Sequence, residues 1–193
     1  MNEGVILIRY GEIALKSRPV RRRLVEKLIS NIKTHFSARN LECFITSDYG
    51  RIYLYCDDFS SAAEILRRVF GIVSFSLCTE TSSELSRILE ETGRLSKEWL
   101  KEGAKFAVRT RRVGTHPYTS QSLAKDVGSA ILSSGERLKV DLDNPDIEVW
   151  VEVRHDKAYI FRDSLSGPGG LPLGTQGIVL SFLEKRDDFA AAW

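Results

Sequence analysis

Near the start of the chain the hydrophobic period switches, and this limits the fold more than any other feature. Val5-Ile6-Leu7-Ile8 is a continuous apolar run, the pattern of a strand buried on both faces. From Pro19 onward, Val20, Leu24, Leu28, Ile32 and Phe36 recur at every fourth residue, with Val25 and Ile29 beside them. That spacing is one face of a helix of about five turns. Ser17 is placed to cap it, and Pro19 suits its first turn. A strand buried on both faces followed by a long one-faced helix calls for a sheet with helices laid on it.

The next segments extend the pattern. Glu42–Asp48 and Arg51–Cys56 are strand-like runs around Tyr49-Gly50, which reads as a tight hairpin. A two-residue loop sets Cys43 opposite Cys56, and the pair reads as packed thiols, not a bridge. Ser60 to Val69 is a short helix with Ala63, Leu66 and Phe70 on one face, and Ile72–Leu77 is a last strand. The order β-α-β-β-α-β is that of a ferredoxin-like unit.

A second unit follows. Glu84 to Leu100 is helical, with Leu85, Ile88, Leu89, Leu95 and Trp99 facing inward. Lys105 to Arg111 is a strand, and Ser120 to Leu132 is a helix with Leu123, Val127, Ala130 and Ile131 inward. Ile147, Val149, Val151 and Val153 alternate with Glu148, Trp150, Glu152 and Arg154, the signature of a half-buried strand. His155-Asp156 turns the chain into Lys157–Phe161, its hairpin partner. Ser166 to Gly177 is rich in glycine and proline and reads as a linker. Ile178 to Leu183 looks like the first strand of another domain. The expected fold class is α+β, with a ferredoxin-like domain over 1–76, an α/β domain over 77–165, a linker over 166–177 and a truncated third domain over 178–193.

Composition excludes several functions. The N-terminus lacks the basic lead of a signal peptide, and no apolar run approaches the ~20 residues of a membrane helix. No membrane partner is expected, and a cytoplasmic location is. Three cysteines without CxxC spacing suggest neither a disulfide framework nor zinc. His35, His116 and His155 lack metal-ligand spacing, and no cysteine sits in a nucleophile context. Catalytic and metal sites are therefore expected to be absent. The glycine-rich segment is not a Walker loop.

A net charge of +2 does not itself point to nucleic acid, but its distribution does. Lys16, Arg18, Arg21, Arg22 and Arg23 form one basic stretch without an acid between Ala14 and Leu24. Lys105, Arg109, Arg111, Arg112 and Lys125 form a second, while Asp141, Asp143, Asp146, Glu148 and Glu152 crowd a later segment. Guanidinium groups grip phosphates bidentately, and several together give salt-sensitive RNA binding. Arg109 and Arg111 share one face of a strand. An irregular loop from Arg112 to Tyr118 then leads into a helix opened by Thr119-Ser120, followed by Gln121. Free N–H groups there suit a phosphate, and His116 and Tyr118 suit stacking on unpaired bases. The competing reading is a solvated strand edge before an ordinary capped helix. In the first stretch Lys16 and Arg18 lie in the loop before the helix, while at least one of the three consecutive arginines reads as solvated surface.

Several motifs resemble the N-terminal part of the tRNA 4-thiouridine synthetase family, also known as tRNA sulfurtransferase or ThiI-like. Arg9-Tyr10-Gly11-Glu12-Ile13-Ala14-Leu15-Lys16 is similar to its opening motif. Phe106 to Gly114, with His116-Pro117-Tyr118-Thr119-Ser120-Gln121, is similar to the core of its THUMP domain. Val140-Asp141-Leu142, Asn144-Pro145-Asp146 and Val151-Glu152-Val153-Arg154 continue it, and Gly167 to Gly177 resembles its linker. The resemblance implies a ferredoxin-like and a THUMP domain that grip the tRNA acceptor and 3′ end, so that a third, ATP-pyrophosphatase domain can adenylate uridine 8 and replace its oxygen with sulfur. Some members also serve thiamine synthesis. Here Leu183 to Asp188 stands where that domain's Ser-Gly-Gly-x-Asp-Ser loop belongs, and Glu184 sets a carboxylate where glycine would admit an anion. ATP is thus expected only for an intact catalytic domain, with no cofactor in this chain. The expected partner is tRNA, with a homodimer and a separate catalytic or sulfur-donor protein as further candidates. A free-standing THUMP adaptor for another RNA-modification enzyme and a dimerising protein-interaction module are the alternative readings.

Overall fold

The computed structural model describes residues 4–134, 137–177 and 180–192. Strand β1 (Gly4–Arg9) runs through a 3-10 turn over Glu12–Leu15 into α1 (Arg18–Ser37). Ser17 stands at the N-cap of α1 without a side-chain hydrogen bond, and Leu24, Leu28, Ile32 and Phe36 are its buried residues. The hairpin β2 (Phe44–Asp48) and β3 (Arg51–Tyr55) pairs Asp48 with Arg51 and Phe44 with Tyr55. Cys43 and Cys56 therefore follow that last pair as free thiols, and burial raises both pKa values, Cys56 to about 11. Helix α2 (Phe59–Leu66) is capped by Asp58, whose carboxylate accepts from the Ser61 N–H at 3.0 Å. Its buried face is Ala62, Ile65 and Leu66, continued by Val69, while Phe70 is exposed. The expected face of Ala63, Leu66 and Phe70 is thus corrected, because the helix ends at Leu66.

Strand β4 (Ser74–Ser82) leads to α3 (Leu85–Trp99), β5 (Lys105–Val113), α4 (Ser120–Ser134), the two-residue β6 (Lys139–Val140), β7 (Ile147–Arg154), β8 (Lys157–Phe161) and β9 (Leu165–Ser166). The strands form one sheet in the order β2-β3-β1-β4-β8-β7-β5-β6, with β9 also on β4. β1 to β4 carry the antiparallel ferredoxin-like order, and β5 pairs in parallel with β7 and β6. The two halves join where Thr79–Ser82 of β4 pairs antiparallel with Lys157–Ile160 of β8.

Alternation sorts the sheet into two faces. Ile6, Ile8 and Phe75 pack with α1 and α2, and Phe106, Val149, Val151 and Ile160 pack with α3 and α4. The opposite face carries Val5, Leu7, Tyr53, Cys78, Tyr159 and Phe161, all buried although they form a separate cluster from the two helix-covered cores. Curvature explains this. Tyr53 on β3 and Tyr159 on β8 stack with centroids 4.9 Å apart, although β1 and β4 lie between their strands. Three strand spacings of a flat sheet span about 14 Å. The sheet therefore coils and buries its inner face against itself.

The glycine-proline segment is a docked strap. β9 pairs with Ser74 and Phe75, Gly167 N–H donates to the Val73 carbonyl at 2.9 Å, and Gly169 N–H donates to Ile72 at 2.7 Å. Leu165 and Leu171 join the first core, and Asn31 Nδ2 on α1 donates to the Leu173 carbonyl at 3.1 Å. A Cβ on Gly167 would lie 2.4 Å from the Ile72 carbonyl oxygen, so only glycine fits. Ile178 and Val179 of the expected third-domain strand lie outside the described residues. Residues 180–184 form no strand, and α5 (Arg186–Ala192) follows. A strand without a partner has no ladder of hydrogen bonds to hold it.

Gly167→Ala is expected to cost about 1–3 kcal/mol through overpacking against backbone. Gly93→Ala, in α3 with its nearest neighbour at 3.9 Å, is expected to gain up to about 1 kcal/mol. Urea midpoints at constant slope measure both.

Candidate nucleic-acid interface

Coiling brings the first basic stretch and the loop after the second to one rim of the sheet. At the start of α1, the Arg21 guanidinium lies 4.2 Å from the centroid of the Tyr49 ring, in the β2–β3 turn. Its Nη1 donates to the Tyr49 hydroxyl at 3.1 Å. Arg154, at the end of β7, donates from Nη2 to the Tyr49 carbonyl and from Nε to Asp48 Oδ2 at 3.3 Å. His155 occupies a left-handed turn position with φ 54°. Its carbonyl meets His116 Nε2 at 2.6 Å, so that nitrogen carries the proton. The rim thus runs from α1 across two hairpin turns to the loop before α4.

A buried charge cluster locks it. Glu152 is 2% exposed and Arg154 7%. Glu152 Oε1 lies 2.8 Å from Arg51 Nε and accepts from Arg154 Nη1 at 3.1 Å, while Oε2 accepts from Arg51 Nη2 at 3.2 Å. One carboxylate therefore holds two guanidiniums, one from each half of the sheet. The expected half-buried strand is corrected here: β7 is covered on both faces towards its end, since its polar face lies inside the coil.

The sequence-predicted residues divide into three groups. Lys16, Arg18, Gln121 and Lys125 are exposed, and none of the three cations makes an ion pair among the described residues. Arg112 is half-buried, and its Nη1 donates to the Gly114 carbonyl at 2.9 Å. Arg111 is exposed beside Trp150, with its guanidinium carbon 5.9 Å from that ring. His116 stacks one face on Tyr118 with centroids 5.4 Å apart.

Arg109 is engaged elsewhere: Nε donates to Glu148 at 2.9 Å and Nη2 to the Leu142 carbonyl at 2.8 Å. Tyr118 is 7% exposed, and its hydroxyl donates to the Ser83 carbonyl at 2.5 Å. Burial raises its pKa. The Tyr118 ring therefore packs in the core and offers no face to a base, which corrects the expected stacking role. The Ser120 carbonyl accepts from Thr110 Oγ1 at 2.7 Å, and Thr119 Oγ1 caps α4 by accepting from the Ser122 N–H at 3.0 Å.

The charge polarisation read along the chain is largely cancelled in space. Parallel pairing sets Arg109 beside Trp150 and Arg111 beside Glu152, so the acidic segment lies against the basic strand. Lys105 Nζ pairs with Asp141 at 2.9 Å, and Asp141 also accepts from the Asn144 and Asp143 N–H groups. These bonds, that from Asn144 foremost, lower its pKa. The turn residues Tyr49, Arg154 and His155 were missed, because only tertiary pairing joins them. Among the described residues no group of three or more His, Cys, Asp or Glu is placed to hold a metal, and no helix is long and apolar enough to cross a membrane. The Glu184 and Lys185 N–H groups both donate to Asp188 Oδ2, at 2.9 and 2.8 Å.

Comparison with known proteins agrees with this architecture. Residues 5–76 match the ThiI ferredoxin-like domain, and residues 83–163 match the THUMP domain. The chain is 38% identical over 197 residues to a probable tRNA sulfurtransferase of Methanobrevibacter smithii, covering 100% of this chain and 50% of that protein. With the corresponding protein of Methanothermobacter thermautotrophicus it shares 42% over 198 residues, covering 100% of this chain and 49% of that one. The chain thus spans about half the length of the curated relatives it matches. A crystal structure from Pyrococcus horikoshii Ot3 superposes with a TM-score of 0.80 at 38% identity, covering 90% of this chain and 58% of that one. A 4-thiouridine synthetase–RNA complex with bound ATP superposes with a TM-score of 0.74 at 28% identity, covering 91% of this chain and 45% of that one.

Glu152→Ala leaves two guanidiniums facing each other in a buried site and is expected to cost about 3–5 kcal/mol. Glu26→Ala removes an exposed helical pair with Arg22 and is expected to cost at most about 1 kcal/mol. Chemical denaturation compares the two.

Proposed function

From the premise that the chain belongs to the tRNA sulfurtransferase family, as its ferredoxin-like and THUMP part, we propose that it grips tRNA. In this reading it holds the acceptor and 3′ end and places uridine 8 for 4-thiouridine formation by a catalytic domain supplied elsewhere. The observation that carries the proposal is the meeting of the first basic stretch with the loop that follows the second on one rim, through Arg21, Tyr49, Arg154, His155 and His116. The rim draws residues from both halves of the sheet, as a surface that must span a duplex and its single-stranded end requires. That the 4-thiouridine synthetase of similar structure was solved with RNA supports the reading.

Lys16 and Arg18 supply phosphate contacts at one end, while Arg112, Gln121 and Lys125 supply them at the other, beside the N-terminal turn of α4. Arg109 serves the fold, since its fork is filled by Glu148 and Leu142. His116 is held in place by the hydrogen bond of its Nε2 to the His155 carbonyl. Catalysis is not assigned to these residues.

Filter binding of tRNA across a salt series tests the proposal. Affinity is expected to fall steeply with salt, and Lys16→Ala, Arg18→Ala and Lys125→Ala are each expected to lower the slope by about 1. Arg109→Ala is expected to lower stability and leave the slope unchanged. Affinity that is indifferent to salt refutes the proposal.

A further inference from the structure

A second feature lies on the inner face of the coil. A cleft of about 330 Å³ opens between the ends of β1, β5, β7 and β8, lined by Arg9, Arg111, Trp150, Phe161, Ser74 and Ser164 among others. That volume lies at the small end of small-molecule sites and suits one nucleotide, not a duplex. The floor is aromatic: the rings of Trp150 and Phe161 are parallel within 5°, with centroids 6.0 Å apart. Arg9 lies over Phe161 at 4.8 Å, and its Nη1 donates to Ser76 Oγ at 3.0 Å. Arg111 lies beside Trp150.

The charges of this cleft do not balance internally. Both of its carboxylates are committed to other cations. Glu148 accepts from Arg109 Nε at 2.9 Å and from Trp150 Nε1 at 3.1 Å. Glu152 holds Arg51 and Arg154. Arg162 pairs with Asp163 at 3.1 Å and lies over Trp99. Arg9 and Arg111 have no ion-pair partner among the described residues, yet both border one half-enclosed space. Burial lowers the Arg9 pKa from its ordinary value, against the raising influence of the Glu152 carboxylate. An aromatic ring steadies a guanidinium but does not neutralise it. An anion with several acceptor oxygens fits between the two guanidiniums.

We propose that this cleft is a phosphate seat, in which Arg9 and Arg111 clamp the phosphate group of a single nucleotide, with the Ser74 and Ser164 hydroxyls as further donors. Planar guanidinium forks match phosphate oxygens bidentately, and the ring faces beside them steady the forks. The phosphate comes either from an unpaired nucleotide of RNA or from a free nucleotide. The first source rests on the RNA reading of the rim, and the second does not.

The indole N–H of Trp150, which donates to Glu148 in the cleft wall, reports on occupancy by proton–nitrogen NMR of the whole chain. AMP, inorganic phosphate, adenosine and tRNA are titrated in turn. AMP and phosphate are expected to shift the Trp150 resonance saturably, and adenosine is expected to leave it in place. Arg9→Met and Arg111→Met are each expected to weaken AMP binding about tenfold or more, the loss of a charge-assisted contact, and Arg9→Lys less. If Arg9→Met loses the native spectrum, Arg111→Met decides, because that side chain is exposed. A shift by tRNA at low salt assigns the source to RNA; a shift by AMP alone assigns it to a free nucleotide. The proposal is overturned if neither AMP nor tRNA moves the resonance, or if both bind Arg111→Met as tightly as the parent chain. Salt-dependent tRNA binding that survives both substitutions at full strength, with no shift by AMP, overturns the cleft and leaves the rim standing. AMP binding without tRNA affinity does the reverse.

Discussion

The pairing of β4 with β8 is the contact on which the rest of the molecule depends. Thr79–Ser82 against Lys157–Ile160 is a short ladder, but it makes one sheet of two halves that each have their own helix-covered core. Once joined, the sheet coils, and a third core forms from Val5, Leu7, Tyr53, Cys78, Tyr159 and Phe161. The first half pairs Val5 with Cys78 and Leu7 with Tyr53, and the coil closes over them by stacking Tyr159 on Tyr53. The Tyr53–Tyr159 stack and the Arg51–Glu152–Arg154 cluster are consequences of that geometry.

The coil also sets the candidate interface. A rim that carries Arg21 from one half and His116 from the other exists only while Tyr49 and Arg154 stay in contact. Buried ion clusters are costly to assemble, and their use lies more in fixing one arrangement than in adding stability. Glu152 fits that role, since it holds one arginine from each side and leaves no neutral alternative. The strap over 165–175 adds a second tie, with Gly167 pressed on Ile72 and Leu173 bound by α1. It brings the chain past residue 174 out beside Lys27 of α1.

Much of the fold was legible from local pattern. The fourfold spacing from Leu24 to Phe36, the Tyr49-Gly50 hairpin and the alternation from Ile147 to Val153 each appear where expected, because local periodicity decides them. The ordered motifs identified the two domains. What escaped depends on partners far away in the chain. Arg109 read as a free cation, and its neutralisation by Glu148, 39 residues on, follows only from the parallel register of β5 and β7. Glu152 and Arg154 read as solvent-facing because alternation separates two faces but does not say that the polar one is folded inward. Tyr118 read as a stacking ring, and its burial follows from the reach of its hydroxyl to Ser83. The glycines from Gly167 to Gly177 read as a loose linker, although close packing against Ile72 demands glycine just as freedom does.

Native-state hydrogen exchange tests the central claim, that the two halves are one cooperative sheet, most directly. The backbone amides of β1 and β4 and those of β7 and β8 are predicted to exchange through a common opening with one shared free energy and one shared dependence on denaturant. Exchange of β7 and β8 while β1 and β3 stay fully protected would contradict the claim, because the rim would then join two independent domains.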